Sequence, residues 1–573
     1  MCSVRPPFTA GEISFRENPR GDGSSGHGQG MKKEKTKSTT IATEEPGDKH
    51  QLSRFTAIFA LGTMLSRVLG LVRDVMIGVF IPVGAREAFL VAFRFPNMLR
   101  DIVGEGAANA AFVPVFSETL EKKKEKAFRE VVAACFGAML LVLGVITALG
   151  VIFIPELLDG VNLLQPITGG KIYTETEVTL LTELSRWTFP YILFIGLAVF
   201  SMSALFTVKH YLTPSWAPAL LNVAMIACIL TMTNSSTNPA WALVVGVWIG
   251  GIAQFVVQYV AMGKHVGVWR PTFNLRRREV LTAFALLGPV VIGQSAGEVN
   301  KVIDSMFAYK SAEGAVTWLY YANRLVQLPL TIFGFATAAA VLPAASRAAA
   351  REAFDEMRVV IMQGMRQSYF MIAPSMVGLI ILGNPIVKLI FGWGETRHQT
   401  DIDNTAIAVA ISAAGLVSFA WVKVVVSGFY AMKDTKTPVI IASASMILNI
   451  VLNAVLVKNY GFKGLAFATT VSYTMNFLAL YVVLGVRLGN LWDGPFVTAL
   501  VRITAATCGM GAVAFASFIG VLRVMPEDGL VERIAQAGIP VAASIVAFVA
   551  LSWLFGVSEL RSFAQLARQR IVK

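Results

Sequence analysis

The sequence predicts an all-α membrane protein of about fourteen transmembrane helices, built as two six-helix lobes related by a parallel repeat plus two C-terminal helices. Three observations predict it: the composition, the recurrence of long apolar runs, and the alternation of basic clusters between them. Of 573 residues, 55% are hydrophobic and only 15% charged, and the mean hydropathy is +0.62. Soluble domains carry about 45–50% apolar and about 25% charged residues, so this chain lacks the charges that cover a water-facing surface. A single soluble enzyme is thereby excluded. The net charge of +13 does not indicate a nucleic-acid partner, because the basic residues lie in short clusters between apolar runs. No basic face alternates with aromatic stacking residues.

Residues 1–50 are rich in Gly, Ser, Pro, Glu and Lys and lack an apolar run, which predicts a disordered cytoplasmic extension. The first apolar stretch starts near Phe55 and is too long and too polar in its middle to be the core of a cleaved signal peptide. Met31, followed by Lys32, Lys33, Lys35 and Lys37, reads as a start site, with residues 1–30 an upstream extension.

A helix that crosses a hydrocarbon core of about 30 Å needs roughly 20 mostly apolar residues. The first two such runs, near 55–81 and 88–116, are followed by a basic cluster from Lys122 to Arg129. The next pair, 130–154 and 186–208, is separated by the acidic residues Glu156, Asp159, Glu175, Glu177 and Glu183 and followed by Lys209. The spans 215–233 and 239–262 precede Lys264, Arg270, Arg276, Arg277 and Arg278, and 280–309 and 315–345 precede Arg347, Arg351 and Arg358. The spans 360–391 and 404–430 lead to Lys433 and Lys436, 438–457 and 464–486 to Arg487, and 495–522 and 535–556 to Arg561, Arg568 and Arg570. Lys and Arg concentrate in cytoplasmic loops, so this alternation predicts that both termini are cytoplasmic. The expected organisation is an N-lobe over 51–275, a C-lobe over 276–490, and helices thirteen and fourteen with a cytoplasmic tail over 491–573.

The two lobes are inferred from an internal repeat. Ala107-x-x-Ala110-Ala111-Phe112-Val113-Pro114-x-x-Ser117 matches Ala336-x-x-Ala339-Ala340-Val341-Leu342-Pro343-x-x-Ser346, and Asp74 corresponds to Asp304 one span earlier. Ala-rich helices also match by chance, but here the proline and serine spacing is shared as well. A six-span unit enters from the same side in both copies, so the copies are related by an axis along the membrane normal.

Charges inside the spans point to function. Arg or Lys at a bilayer centre costs about 2.5–3.5 kcal/mol, so four facing lipid would cost roughly 10 kcal/mol. Ser66, Arg67, Arg73 and Asp74 in the first span, Arg94, Arg100, Asp101 and Glu105 in the second, and Asn323 and Arg324 in the eighth must therefore face water or one another. Two arrangements satisfy this: a hydrated cationic cavity for an anion, or a salt-bridge latch between lobes through Asp74, Asp101 and Glu105. The arginine fork suits phosphate or carboxylate oxygens and stays charged when partly desolvated, which favours a phosphate-bearing substrate.

A second polar group, Asp304, Asn449, Asn453 and Thr469, comes from the seventh, eleventh and twelfth spans. One carboxylate with amide and hydroxyl oxygens suits sodium, and interhelical hydrogen bonding is the alternative. No G-x-x-x-x-G-K-[ST] loop, metal-ligand triad, nucleophile elbow or paired-carboxylate set occurs. A transporter is expected rather than an enzyme, driven by ion gradients, membrane potential or substrate gradient. Neither a C-x-x-C pair nor a histidine cluster is present, so no disulfide framework or zinc site is expected.

At these residues the sequence resembles the MurJ (MviN) family of lipid II flippases, within the multidrug/oligosaccharidyl-lipid/polysaccharide exporter superfamily. The matching segments are Ser66-Arg67-Val68-Leu69-Gly70 with Arg73-Asp74, Ala92 to Arg100, Glu105-Gly106-Ala107 with Ala111 to Pro114, Trp318 to Leu325, and Gly428-Phe429-Tyr430 with Lys436-Thr437-Pro438. The resemblance implies an inner-membrane, multi-pass protein that moves the undecaprenyl-diphosphate-linked peptidoglycan precursor, lipid II, to the periplasmic leaflet by alternating access. It implies cavity arginines at Arg67, Arg73, Arg100 and Arg324, and an acidic position at Glu87. Substrate contacts are therefore expected from these five residues with Ser66, Asp74 and Glu105, and a sodium site from Asp304, Asn449, Asn453 and Thr469. The expected partners are lipid II and the cell-wall synthesis machinery, with the chain a monomer. Asn323, Gln327 and Asp101 depart from the family pattern, which puts the local gating pairs in doubt. A drug exporter or an exporter of another lipid-linked oligosaccharide is the alternative. An organic-cation exporter places carboxylates, not arginines, in its cavity. A polyprenyl-phosphate enzyme needs metal-binding carboxylate pairs or His/Arg clusters that are not seen.

Overall fold

The computed structural model describes residues 46–102, 107–162, 175–234, 238–489, 491–526 and 529–561. Most of the expected N-terminal extension thus lies outside the described residues, but residues 46–50 are helical and open the first helix. Among the described residues the regular structure is helical throughout.

The N-terminal half comprises α1 (Pro46–Phe80), α2 (Val83–Ile102), α3 (Ala108–Asn162), α4 (Glu175–Thr188), α5 (Tyr191–Thr207), α6 (Leu212–Met232) and α7 (Ala240–His265). The C-terminal half begins with α8 (Arg278–Ser311) and α9 (Ala315–Pro329). A π-helical segment (Leu330–Phe335) joins α9 to α10 (Ala336–Ala350), which carries the second copy of the repeat. Next come α11 (Phe354–Phe391), a 3-10 turn (Gly394–Thr396), α12 (Gln399–Ala413), α13 (Leu416–Ala431) and α14 (Lys436–Leu488). The chain ends in a hairpin of α15 (Gly494–Val524) and α16 (Leu530–Leu554).

Among the described residues, ten segments are long and apolar enough to cross a membrane. Two of them, Ala108–Glu156 and Lys436–Leu488, contain a backbone break, at Lys124 (φ 70°) and at Gly461 (φ 53°). Each break falls between two runs that the sequence reads as separate spans, so consecutive helices join there without a loop. Helix α2 is more polar than these ten, because it carries Arg86, Glu87, Arg94, Arg100 and Asp101 within 20 residues.

Close packing follows small residues. On α7, Gly246 and Gly250 lie four apart, and a Cβ at either would stand 2.7 Å from a backbone Cα of α6, Met225 and Leu221 respectively. Only glycine lets two helices approach so closely in a bilayer, where packing replaces the hydrophobic drive. Helix α8 meets both halves of the chain. Its Phe284 packs edge-on to Phe112 of α3 at 6.0 Å, and its Asp304 accepts a hydrogen bond from Asn453 of α14 at 2.6 Å. The connection before α8 is pinned to α3 by Thr272 N to Ala133 O (2.9 Å), Arg277 to Glu130 (2.8 Å) and Lys123 to Glu279 (2.6 Å).

The α15–α16 hairpin packs on α11 through Phe370, Ala373, Ile503, Met510 and Phe548, while Val501, Val546 and Trp553 stay exposed. Among the described residues, Cys135, Cys228 and Cys508 are free thiols. Although the sequence shows no histidine cluster, His210 and His265 come together and stack with ring centroids 4.1 Å apart. In the α13–α14 turn the Thr437 hydroxyl donates to Asp434 at 2.6 Å, the Thr437 N–H at 3.0 Å and Arg487 at 2.6 Å. These contacts hold the Asp434 carboxyl well below its ordinary range.

Candidate functional site

The charged residues of α1 converge on α6 and α9. Arg73 and Asp74 are both buried, 8% and 1% exposed. Arg73 donates to Asp74 Oδ1 through Nε (3.0 Å) and Nη2 (2.6 Å), and its Nη1 donates to Asn222 Oδ1 on α6 at 3.0 Å. Asn222 in turn donates from Nδ2 to the backbone oxygen of Ser66 at 2.9 Å, which places one side chain against two successive turns of α1. From the C-terminal half, Tyr320 Oη donates to Asp74 Oδ1 at 3.0 Å and Tyr321 Oη to the Asp74 backbone oxygen at 3.2 Å.

Arg324, one turn after Tyr320, reaches the same carboxylate. Its Nε lies 2.8 Å from Asp74 Oδ2, and its Nη2 donates to Tyr320 Oη at 2.6 Å. The Nε–Oδ2 pair is at ion-pair distance but out of hydrogen-bond alignment, and both atoms are buried without a hydrogen-bond partner. The Arg324–Asp74 attraction is therefore charge on charge without a directed bond, while Arg73 and the hydroxyls of Tyr320 and Tyr321 hold Asp74 by directed bonds. Arg324 remains partly open, with its side chain 39% exposed.

Arg100 has its own counterion, donating to Asp101 Oδ1 from Nη2 at 2.6 Å, while Asn97 holds Oδ2 at 3.1 Å. Arg67 is exposed and Arg94 half-buried, and among the described residues neither makes an ion pair. Among the described residues, Arg73 and Arg324 thus pair with Asp74, and Arg100 pairs with Asp101. Glu105 lies outside the described residues.

Glu87 is placed differently from the expected substrate contact. Its Oε1 accepts from the backbone N–H of Val316 (2.8 Å) and Thr317 (3.3 Å) in the first turn of α9. The residue before that helix, Gly314, has φ 94° and offers no side chain, so a carboxylate from α2 satisfies the unpaired amides and the positive end of the helix dipole. The sequence reading missed its neighbour Arg86, which is 0% exposed and donates from Nε to Thr317 Oγ1 at 3.1 Å. The adjacent Arg86-Glu87 pair in an otherwise apolar stretch was the available signal.

These contacts belong to a seal around the α1–α2 turn. Tyr321 stacks on Phe391 at 4.1 Å, and Gly394, at φ 55°, sits so near α1 that a Cβ would stand 2.3 Å from Val79 O. At the other end Arg67, Asn323 and Gln327 are exposed. The arginine site is packed closed at the α1–α2 turn, and Arg67, Asn323 and Gln327 leave its opposite end exposed.

The second polar group also comes together. Asn453 Nδ2 donates to Asp304 Oδ1 (2.6 Å), Asn300 Nδ2 to Asp304 Oδ2 (3.3 Å), and Asn449 Nδ2 to Thr469 Oγ1 (3.3 Å). The Asn449 amide is better satisfied with oxygen and nitrogen exchanged, Nδ2 then lying 3.0 Å from Asp304 Oδ1 and the oxygen 3.2 Å from Thr469 N. Asn300 was not anticipated, although it lies one helical turn before Asp304. The Asn453 Oδ1 atom is buried without a donor. A carboxylate, an orphaned amide oxygen and a hydroxyl are hard oxygen donors that fit a small cation. Among the described residues no cluster of three or more His, Cys, Asp or Glu occurs.

An all-helical chain of membrane-crossing segments, with buried arginines joining its halves, defines a polytopic membrane transporter. A family model described as "Lipid II flippase MurJ" matches residues 83–526, and the chain belongs to that family. It is a multi-pass protein of the bacterial inner membrane. Probable lipid II flippases of Vibrio cholerae and Haemophilus influenzae are 34% and 32% identical to it, over 73% and 79% of this chain and 80% and 90% of theirs. A solved structure described as "Lipid II flippase MurJ, inward closed conformation" shares the fold, with a TM-score of 0.70, 24% identity, and coverage of 87% of this chain and 98% of that one. An inward-facing MATE family transporter of the MOP superfamily also shares the fold, at a TM-score of 0.60 and 15% identity, over 76% of this chain and 98% of its own. The family match begins at residue 83, so the α1 residues rest on their geometry.

Proposed function

We propose that this protein moves lipid II from the cytoplasmic to the periplasmic leaflet of the inner membrane by alternating access. The observation that carries the reading is the sharing of Asp74 by Arg73 and Arg324, one from each half, beside Arg67 and Arg94, which make no ion pair among the described residues. A diphosphate offers more anionic oxygens than Asp74 and competes for both guanidinium groups. Once Arg324 turns to the substrate, the undirected Asp74–Arg324 contact no longer holds the halves together. Transport requires that the substrate bind the two arrangements with different affinity, and a pair that breaks on binding supplies that difference.

In this reading fourteen helices form an N-lobe and a C-lobe that rock about the arginine site, with both termini cytoplasmic and the accessible end of the site facing the cytoplasm. The chain acts as a monomer, not as an enzyme, in contact with the cell-wall synthesis machinery. Asp304, Asn449, Asn453 and Thr469 hold sodium, which biases one lobe arrangement. The cations argue against a drug exporter, whose organic cations they repel. The experiment is depletion of the protein in its host: accumulation of the undecaprenyl-diphosphate-linked precursor on the cytoplasmic side is expected, and accumulation of a different lipid-linked sugar with lipid II unaffected overturns the reading.

A further inference from the structure

Away from the arginine site, a pocket of 340 Å³ opens between α11, the start of α15 and the segment after α16. Its polar lining is Arg366, Thr498, Arg502, Ser558 and Glu559. Glu559, 5% exposed, is neutralised by Arg366, whose Nε donates to Oε1 at 2.7 Å and whose Nη2 donates to Ser558 Oγ at 2.8 Å. That pair forms a neutral floor. Arg502 is exposed, and among the described residues its guanidinium makes one long hydrogen bond, Nη1 to Gly556 O at 3.3 Å. Most of its five N–H donors therefore remain for a ligand.

The surroundings say what kind of ligand. The pocket lies at the end of the α15–α16 hairpin, where Trp553 is 75% exposed, and Leu554, Val497 and Val501 are exposed beside it. An exposed tryptophan at a helix end marks the headgroup level of a membrane, and the apolar surface next to it faces acyl chains. The Arg366–Glu559 pair cancels, so among the described lining residues one net positive charge, that of Arg502, faces the pocket. That matches the single negative charge of a phosphodiester. The buried Glu559 carboxylate opposes the greater charge of a diphosphate, and the volume falls within the range of small-ligand sites, about 300–1,000 Å³.

We propose that this pocket binds the phosphodiester of an anionic glycerophospholipid, with Arg502 as the phosphate ligand and the acyl chains lying over Val501 and Leu554. Such a lipid bridges the hairpin to α11 and strengthens its attachment to the rest of the chain. The inference rests on the membrane-spanning reading but not on the identity of the transported substrate, since Arg502 takes no part in the Asp74 network.

The test uses the purified full-length protein in phosphatidylcholine nanodiscs doped with fluorescent phosphatidylglycerol. The bound fraction is read in wild type, Arg502→Ala and Thr498→Trp, the last filling the pocket mouth without removing a charge. Loss of one charge-assisted phosphate contact is expected to weaken phosphatidylglycerol binding on the order of tenfold in Arg502→Ala. Thr498→Trp should show the same direction of change, so the result does not depend on one variant folding. Inorganic phosphate and a polyprenyl diphosphate are added separately as competitors, and neither should displace the lipid at equal concentration. Wild-type binding in both variants overturns the proposal. Displacement by inorganic phosphate shows a plain anion site, and displacement by the polyprenyl diphosphate shows a station for diphosphate lipids. Either result also overturns it. Complementation of a depleted strain by Arg502→Ala is expected to persist, which separates failure here from failure of the flippase reading.

Discussion

Asp74 Oδ2 stands 2.8 Å from Arg324 Nε across the two halves of the chain, while Asp74 Oδ1 is gripped by Arg73 of its own helix at 2.6 Å. One buried carboxylate thus balances a buried cation, Arg73, and a partly exposed one, Arg324, and removing it leaves both uncompensated. Breaking a buried ion pair by deleting one partner costs about 3–5 kcal/mol. Asp74→Asn should therefore lower thermal stability in detergent and abolish complementation. Asp74→Asn combined with Arg324→Gln should recover part of the stability but not the function. Additive losses in the double variant would show that the two residues are not coupled.

Among the arginines, single alanine substitutions at Arg67, Arg73, Arg100 and Arg324 should strongly lower complementation of a depleted strain while membrane insertion persists. Each removes a group that is costly to insert and that suits a diphosphate. Arg324→Lys should be weaker than wild type, because a lysine cannot hold Asp74 and Tyr320 with one planar fork. Equal growth with the lysine variant would argue that charge alone suffices there.

Glu87 caps α9 from α2, so its two truncations should differ. Glu87→Gln keeps an acceptor oxygen for Val316 N–H and should be mild, whereas Glu87→Ala strips the cap and should cost about 0.5–2 kcal/mol. The loss should open the seal at the α1–α2 turn, read as increased labelling of a cysteine placed at Thr396. Unchanged labelling in Glu87→Ala would mean that Arg86 and the Tyr321–Phe391 stack close that end without it.

Sodium coupling is checked at Asp304, which carries the formal charge of the C-terminal polar group. Distance probes across the α1–α2 seal should respond to sodium in wild type and lose that response in Asp304→Asn, with Thr469→Ala affected less. Identical behaviour of wild type and Asp304→Asn would leave the group as interhelical hydrogen bonding, and the driving force would then lie in the membrane potential acting on the arginines.

Asp434 gives the acid-side prediction. Its carboxyl is held below its ordinary range first by the Thr437 hydroxyl and backbone N–H and then by Arg487. A folded-state pKa below the unfolded value, about 3.9, contributes stability that is fully present above that value and is lost as pH falls through the folded pKa. Asp434→Asn should flatten the acid limb of a stability-against-pH curve below about pH 4 and leave the neutral limb unchanged in slope.

The helical, membrane-spanning class of this protein and the residues with polar chemistry were legible in the sequence, because each depends on local composition. A run of about 20 apolar residues has one stable form in a bilayer, and an arginine within it needs a partner or water wherever the fold puts it. The breaks at Lys124 and Gly461, by contrast, were invisible, since joining two spans without a loop depends on a single backbone conformation at each site. Which groups meet was also outside the reach of periodicity. Arg73 is followed at once by Asp74, yet the third member, Arg324, comes from α9, and Asn222 and Tyr320 enter only because distant helices pack beside α1. Glu87 shows the same division most plainly. The resemblance to the flippase family marked it as a residue with a task, but the choice between a ligand and the bare amides at the start of α9 was made by the packing of one helix end against another.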